Sequence, residues 1–361
     1  MKITKIIALV LALALSVLAF AACGDTSTST SATSGTGASG NATTGTSSST
    51  TGSTNKPTDT KPANVYVISG PTGVGAVSMM EKSANGQTEG KYNFVLAENQ
   101  MKAQAAFLNG EADIVAMPTN MAAALLNKGE DVVILAANTL GVLYIMDATG
   151  TVTNIKDLEG KTITATGQGS NPEYILKYVL EQNGVKNVTI NFMDDGAAIS
   201  AAMVSGSVEI AMLPQPVATA TTIQGNKAGK TIKPVIDMNA EWEKIAEGTD
   251  SALMMGCVVT TKAYLDANKD KVDLFLKEYK ASIEAVKADV DTAAALCEKH
   301  GIIAKAAIAK QAIPKCNITF ATGASMKASL TGYFTVLHTA NPASIGGKMP
   351  ADGLFYMGYE G

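Results

Sequence analysis

Apolar positions in this 361-residue chain fall into short runs separated by helical stretches, and the alternation begins at residue 64. Residues 64–69 (NVYVIS) form a brief apolar run closed by Gly70-Pro71-Thr72-Gly73, the pattern of a strand ending in a turn. Residues 74–83 then read as helix. Residues 92–97 (YNFVLA) predict a second strand ending at Glu98-Asn99, and 100–108 a helix with Met101, Ala105 and Leu108 along one apolar face. A third strand is predicted at 112–117, a helix at 120–127 and a fourth strand at 131–136. Strands alternating with helices at this spacing predict a parallel α/β sheet.

The pattern then restarts. Residues 105–129 (AAFLNGEADIVAMPTNMAAALLNKG) align without a gap on 201–225 (AAMVSGSVEIAMLPQPVATATTIQG), an offset of 96 residues. Gly110/Gly206, Ile114/Ile210, Pro118/Pro214 and Gly129/Gly225 coincide, and Asp113 faces Glu209. The matched alanines count for little, because alanine-rich helices coincide by chance. In the same frame a strand at 161–165 stands where 65–69 stood, Gly169 matches Gly73, 171–182 is helix, 188–193 is strand, and Asp194-Asp195 match Glu98-Asn99. Residues 65–129 and 161–225 are thus two βαβαβα copies. One pair is too few for a solenoid and predicts two similar lobes. Beyond them, 233–237 and 253–260 read as strands, with Trp242 in a loop or short helix between. Residues 262–290 read as one long amphipathic helix, and 292–300, 304–312 and 325–338 as further helices.

In open parallel sheets ligands bind outside the carboxyl ends of the strands. A glycine turn at a helix start points unpaired N–H groups in that direction. Two facing lobes would therefore place their strand tips around one cleft. Ser69, Thr72, Gly73 and Val74 would supply hydroxyl and N–H donors from the first copy, and Thr119 and Asn120 polar side chains. Gln168, Gly169 and Ser170 would supply the opposing helix N-terminus, and Gln215 a second amide, while Glu98 and Asp194 would accept an amine. Each has a plainer reading. The glycines form turns, Glu98 and Asp194 are solvated strand ends, Trp242 is a core or lobe-interface residue, and the 16 methionines fill the core.

The N-terminus changes the setting. Lys2 and Lys5 precede an apolar stretch at 6–19, and Phe20-Ala21-Ala22-Cys23 closes it, which reads as a signal peptide over 1–22. Small residues before a cysteine resemble a bacterial lipobox, so Cys23 is expected to carry a lipid anchor. The rest of 23–62 is rich in Ser, Thr and Gly and predicts a flexible tether. No later segment has 18 consecutive apolar residues, so no membrane span is expected. The net charge is −4, and all 28 basic residues are lysine. That argues against nucleic acid and removes the guanidinium fork that clamps carboxylates and phosphates. His300 and His338 stand alone, without metal-ligand spacing, so neither metal nor cofactor is expected. No G-x-S-x-G elbow occurs. Gly229-Lys230-Thr231 lacks the first glycine of a P-loop, and 73–78 has Ser78 where a dinucleotide fingerprint has its third glycine. Cys297 and Cys316 can be paired on paper with Cys257 left over, which the spacing leaves open.

Several stretches together resemble a known family. They are the anchor Cys23 with its tether, the G-E-A-D-I segment at 110–114, NIKDLEGKTIT at 154–164, and Tyr264-Leu265-Asp266-Ala267-Asn268 followed by Val272-Asp273-Leu274-Phe275-Leu276. In this order, over about 64–300, the chain resembles the type 2 substrate-binding proteins of ABC importers. Within these it is similar to the group for nitrate, sulfonate and taurine and for thiamine pyrimidine precursors. The resemblance implies two three-layer α/β lobes joined by a two-strand hinge. Lobe one would be 63–145 plus 245–361 and lobe two 146–244. A small polar or anionic solute (sulfonate, nitrate, taurine or pyrimidine-like) would bind between the lobes, and the closed form of a monomer would dock on a membrane permease. Two alternatives share the fold: an enzyme of the pyrimidine-precursor type, and a lobe pair that signals to a membrane sensor.

Overall fold

The computed structural model describes residues 61–359; the signal segment, Cys23 and nearly all of the tether lie outside them. The first copy runs β1 (Ala63–Ile68), α1 (Pro71–Val74), α2 (Val77–Ala84), β2 (Tyr92–Ala97), α3 (Gln100–Leu108), β3 (Ile114–Pro118) and α4 (Thr119–Asn127). β4 (Val133–Thr139) and β5 (Leu143–Asp147) lead into the second: β6 (Thr162–Ala165), α5 (Asn171–Gln182), β7 (Thr189–Phe192), α6 (Gly196–Ser205), β8 (Ile210–Pro214) and α7 (Val217–Lys227). After β9 (Lys233–Asp237) and α8 (Met238–Ile245), β10 (Gly256–Thr260) returns the chain to the first lobe. There follow α9 (Lys262–Ala267), α10 (Lys269–Ala288), α11 (Val290–Lys299), α12 (Ala306–Ala312), β11 (Ile318–Ala321) and α13 (Gly323–Ala340).

Two sheets result, ordered β11-β4-β10-β3-β1-β2 and β7-β6-β8-β5-β9. The repeated triplets β2-β1-β3 and β7-β6-β8 are parallel, as the alternation predicts. Both sheets are nonetheless mixed, because β10 runs antiparallel to β3 and β4, and β5 antiparallel to β8 and β9. The reason lies in how the chain crosses. A strand arriving from the other lobe enters at the crevice end and must run away from it, against strands that run toward it. The registers record this: the first residue of β5 faces the last of β8 (Leu143↔Pro214), and the first of β10 faces the last of β3 (Gly256↔Pro118). All of β5 therefore pairs in the second sheet, and the passage between lobes falls at 140–142.

The matched glycines divide by role. Gly110 and Gly206 both follow a helix in the left-handed region, at φ 71° and 93°, where a side chain is strained. Gly129 does the same at φ 94°. Gly225 lies within α7, where an added Cβ would stand 2.9 Å from Ile232 Cδ1, and the turn falls instead at Gly229, φ 70°.

Two sequence readings need correction. The face of α3 that carries Met101, Ala105 and Leu108 is exposed, and Ala103, Ala106 and Phe107 are buried instead. The helix carries apolar residues nearly all round, so periodicity alone picked the wrong stripe. The stretch expected as one helix over 262–290 is two, α9 and α10, which meet at Asn268. Its backbone leaves the helical region there, at φ −133°.

The largest buried cluster draws on both sheets, from Phe107 and Ile134 to Ile163 and Ile175. Trp242 of α8 joins them. Its ring lies 4.9 Å from Tyr178 of α5 and 5.6 Å from Tyr333 of α13, and its indole Nε1 donates to Ser251 Oγ at 3.3 Å. Two further clusters belong to one lobe each. The burial on α3 is testable. Phe107→Ala, at a site 3% exposed, is expected to cost about 3–5 kcal/mol. Met101→Ala, 62% exposed, should stay within about 0.5 kcal/mol. Equilibrium urea unfolding of the two variants checks the order.

Candidate functional site

The first lobe's wall is built from the turn after β1. Gly70 sits at φ 85° and its N–H donates to Ile302 O at 2.9 Å. At Gly73 a Cβ would stand 2.1 Å from Ile68 O, so only glycine lets the turn close onto the strand that feeds it. Beneath lies a polar floor that no motif announced. Asn138, buried near the end of β4, donates through Nδ2 to Thr72 O at 3.2 Å and to Tyr279 Oη at 2.8 Å. Thr139 Oγ1 donates to Asn138 Oδ1 at 3.0 Å. Gly256 lets these groups converge, since a Cβ there would meet Asn138 Oδ1 at 2.7 Å and Thr72 Oγ1 at 2.9 Å. Burial pushes the Tyr279 hydroxyl up, so it stays protonated.

The other predicted residues of this lobe scatter. Ser69 and Glu98 are exposed, and Val74 is fully buried. Thr119 is also buried. Its hydroxyl donates to Met254 O at 2.7 Å, and its N–H to Met255 O. Asn120 Nδ2 donates to Ser344 O at 3.3 Å. The tip after Pro118 therefore bonds to other segments of the protein, and only Thr72 and Gly73 stand with the Asn138 floor.

In the second lobe the turn after β6 is tightly held. Gly167 and Gly169 take φ 80° and 70°. The Gly169 N–H donates to Glu173 Oε2 at 2.6 Å, and its carbonyl accepts from Tyr174 Oη at 2.6 Å. Ser170 Oγ donates to Gly167 O at 2.7 Å, and Gln168 is exposed. Two bonds reach this turn and helix from the far lobe: Asn341 Nδ2 donates to Tyr174 Oη at 2.6 Å, and Asn171 Nδ2 to Tyr333 Oη at 3.3 Å. After β8, the Gln215 N–H donates to Val142 O, and its Oε1 accepts from Thr219 Oγ1 at 2.7 Å. Asp194 is exposed, and its neighbour Asp195 caps α6 by accepting from the Ala198 N–H. Among the described residues two buried side-chain atoms have no hydrogen-bond partner, Asn171 Oδ1 and Gln215 Nε2. Both stand at the crevice end of this lobe.

Residues 133–293 match the NMT1/THI5-like family model. Among solved structures the chain is similar to an ABC transporter protein from Parabacteroides distasonis, with a TM-score of 0.70 at 21% identity over 82% of this chain and 99% of that one. It is also similar to the periplasmic aliphatic sulphonate binding protein SsuA from Escherichia coli (0.61, 17%, 80% and 92%). A third is the alkanesulfonate-binding protein SsuA from Xanthomonas axonopodis pv. citri bound to MOPS (0.55, 16%, 82% and 97%). No curated protein matches the chain. The chain has the periplasmic-binding-protein fold.

Within this periplasmic-binding-protein fold, the passage between lobes is braced by polar side chains. The Gly141 N–H donates to Asn239 Oδ1 at 3.1 Å, and Asn317 Nδ2 donates to Gly141 O at 2.6 Å. Tyr144 Oη lies 2.9 Å from Lys315 O and 3.0 Å from Asp237 Oδ2. Cys257, Cys297 and Cys316 are free and buried, and burial pushes the last two thiols up to about 12, which keeps them inert. Among the described residues no group of His, Cys, Asp and Glu is placed to hold a metal ion, and no helix is long and apolar enough to cross a membrane.

Tyr279 lies near no glycine, and Asn138 stands inside a strand three residues before Gly141. The one hint was an asparagine in the apolar run VILAAN. Glu173 is held below the usual carboxylate range by the Lys177 ammonium, 2.5 Å away, and then by the Gly169 N–H. A depressed pKa contributes stability that is present above the ordinary carboxylate value and lost as pH falls through the folded one. Calorimetry from pH 6 downward should therefore show the melting temperature of the native protein falling more steeply below about 4.3 than that of Glu173→Gln.

Proposed function

We propose that this chain is an extracytoplasmic solute-binding protein of an ABC importer, which captures a small polar solute between its lobes and does no chemistry. One observation carries the reading. The crossing strands enter both sheets at the tip ends of β3 and β8, so the turns after β1, β3, β6 and β8 share one seam beside the braced passage at 140–142. Turns on both sides of a hinge can close on a ligand that touches both. The match to the NMT1/THI5-like model and the names of the fold relatives, two of them sulfonate-binding proteins, support the same class. Sulfonates, nitrate, taurine and pyrimidine-like molecules form the first panel of solutes. Thr72, Gly73, Gln168, Gly169, Ser170 and Gln215 are the proposed contact residues, with Ser69, Val74, Glu98, Thr119, Asn120 and Asp194 around them. Cys23 would carry the lipid that keeps a monomer at the outer face of the cytoplasmic membrane, beside its permease.

The enzyme alternative needs a reactive histidine by the cleft. His300 instead sits 3.0 Å from Glu81 of α2, and His338 lies on α13. A ligand that binds only the folded state raises stability with concentration, by about 2.7 kcal/mol at one hundred times Kd. Thermal-shift titration of the panel should give at least one saturable, concentration-dependent rise, with the solute recovered unchanged. Asn138→Ala, which unties the turn bearing Thr72, should weaken that binding roughly tenfold, a loss of about 1.4 kcal/mol. Turnover of the solute, or silence across this panel and across neutral amides and lactams alike, would sink the reading.

A further inference from the structure

We infer that the solute taken by this cleft is uncharged where it meets the second lobe and carries a hydrogen-bond donor beside an acceptor, as an amide or lactam group does. The inference rests on the solute-binding reading and sharpens it. Three independent features of the strand tips point the same way.

The first is a donor already spent. The N-terminus of a twelve-residue helix such as α5 is where an anion would ordinarily sit, held by free N–H groups. Here the Gly169 N–H is given to Glu173 Oε2 at 2.6 Å. That carboxylate belongs to the protein and stays ionised, since Lys177 and the Gly169 N–H hold its pKa low. A sulfonate or nitrate brought to this turn finds a negative group where it needs a donor.

The second is the charge around the tips. Residues 69–74, 98–100, 118–120, 166–171, 194–196 and 214–217 contain no lysine, and the chain contains no arginine. Their charged residues are Glu98, Asp194 and Asp195, all negative. Lys177, one helical turn beyond Glu173 on α5, is paired with it. The strand tips themselves supply neither a counter-charge nor a guanidinium fork to offset the desolvation of an anion.

The third is a pair of buried amides, each with one end used. Asn171 is 9% exposed and Gln215 2%. Asn171 bonds to Tyr333 and Gln215 to Thr219, while Asn171 Oδ1 and Gln215 Nε2 have no partner. The free ends are one acceptor and one donor because Asn171 donates to Tyr333 while Gln215 accepts from Thr219. Buried polar atoms without partners are rare and costly in folded proteins. These two follow neighbouring strands, β6 and β8, which pair at Ala165↔Met212. Two neutral amides presenting one acceptor and one donor complement a neutral group of the same kind. A cationic amine would be drawn to Glu98 and Asp194, but both are exposed and screened by water, while the buried partners are uncharged.

Isothermal titration calorimetry on the full chain tests this with three arms: nicotinamide, uracil and 2-pyrrolidone as neutral probes, methanesulfonate and nitrate as anions, and ethylammonium as a cation. At least one neutral probe should bind at least tenfold more tightly than any charged one. Gln215→Leu should weaken that probe about tenfold without lowering the melting temperature of the free protein, an outcome a purely structural glutamine would not give. Glu173→Gln should raise affinity for methanesulfonate at least tenfold, because it removes the competing charge. Tightest binding of an anion or of ethylammonium by the native protein would overturn the inference and leave the solute-binding reading standing. If no probe of any arm binds and the sulfonate, nitrate, taurine and pyrimidine panel is silent too, both fall together.

Discussion

Direction of entry is the constraint on which this molecule depends. β5 and β10 each come from the opposite lobe, and each must start at the crevice end of the sheet it joins. Leu143 is thereby set against Pro214 and Gly256 against Pro118. From those two registers follow the antiparallel courses of β5 and β10 and the nearness of both sets of tips to one passage. The close approach of Thr72, Asn138 and Gly256 follows too. Glycine at 256 is the residue that tolerates it, since any Cβ there would press on two polar side chains at once.

The two walls of the seam are stiffened differently. On the first lobe the turn after β1 rests on a buried, fully bonded floor of Asn138, Thr139 and Tyr279. On the second, the turn after β6 is gripped by side chains of its own helix, Glu173 and Tyr174, and through Tyr174 by Asn341 of the other lobe. Trp242 packs between α5 and α13 on the same flank. That flank therefore joins the lobes by apolar packing and by two side-chain hydrogen bonds.

Much of the architecture was legible because it rests on local patterns. The strand at 92–97 and the helices at 100–108 and 171–182 carry their own boundaries, a polar pair or a glycine at each end. The duplicated frame carried the second lobe from the first. Where the pattern misled, it lacked contrast. α3 is apolar nearly all round, so nothing local marked Phe107 as the buried face, and Asn268 broke a helix whose amphipathic stripe ran on past it. The candidate site was half legible. Glycine turns announced Gly73 and Gly169, but Thr119 and Asn120 are bonded to segments 135 and 224 residues away in sequence.

The sequence by itself determined the duplicated α/β units, the turns that end their strands and the absence of arginine, because each is a property of neighbouring residues or of composition. Tertiary structure alone decided which buried amide ends stay free. The Gly169 N–H is taken locally, by the Glu173 carboxylate four residues further on. Asn171 and Gln215 are ordinary polar residues until burial leaves one end of each without a partner. Hydrogen-bond satisfaction depends on which distant groups arrive at the same place, and no stretch of chain contains that information on its own.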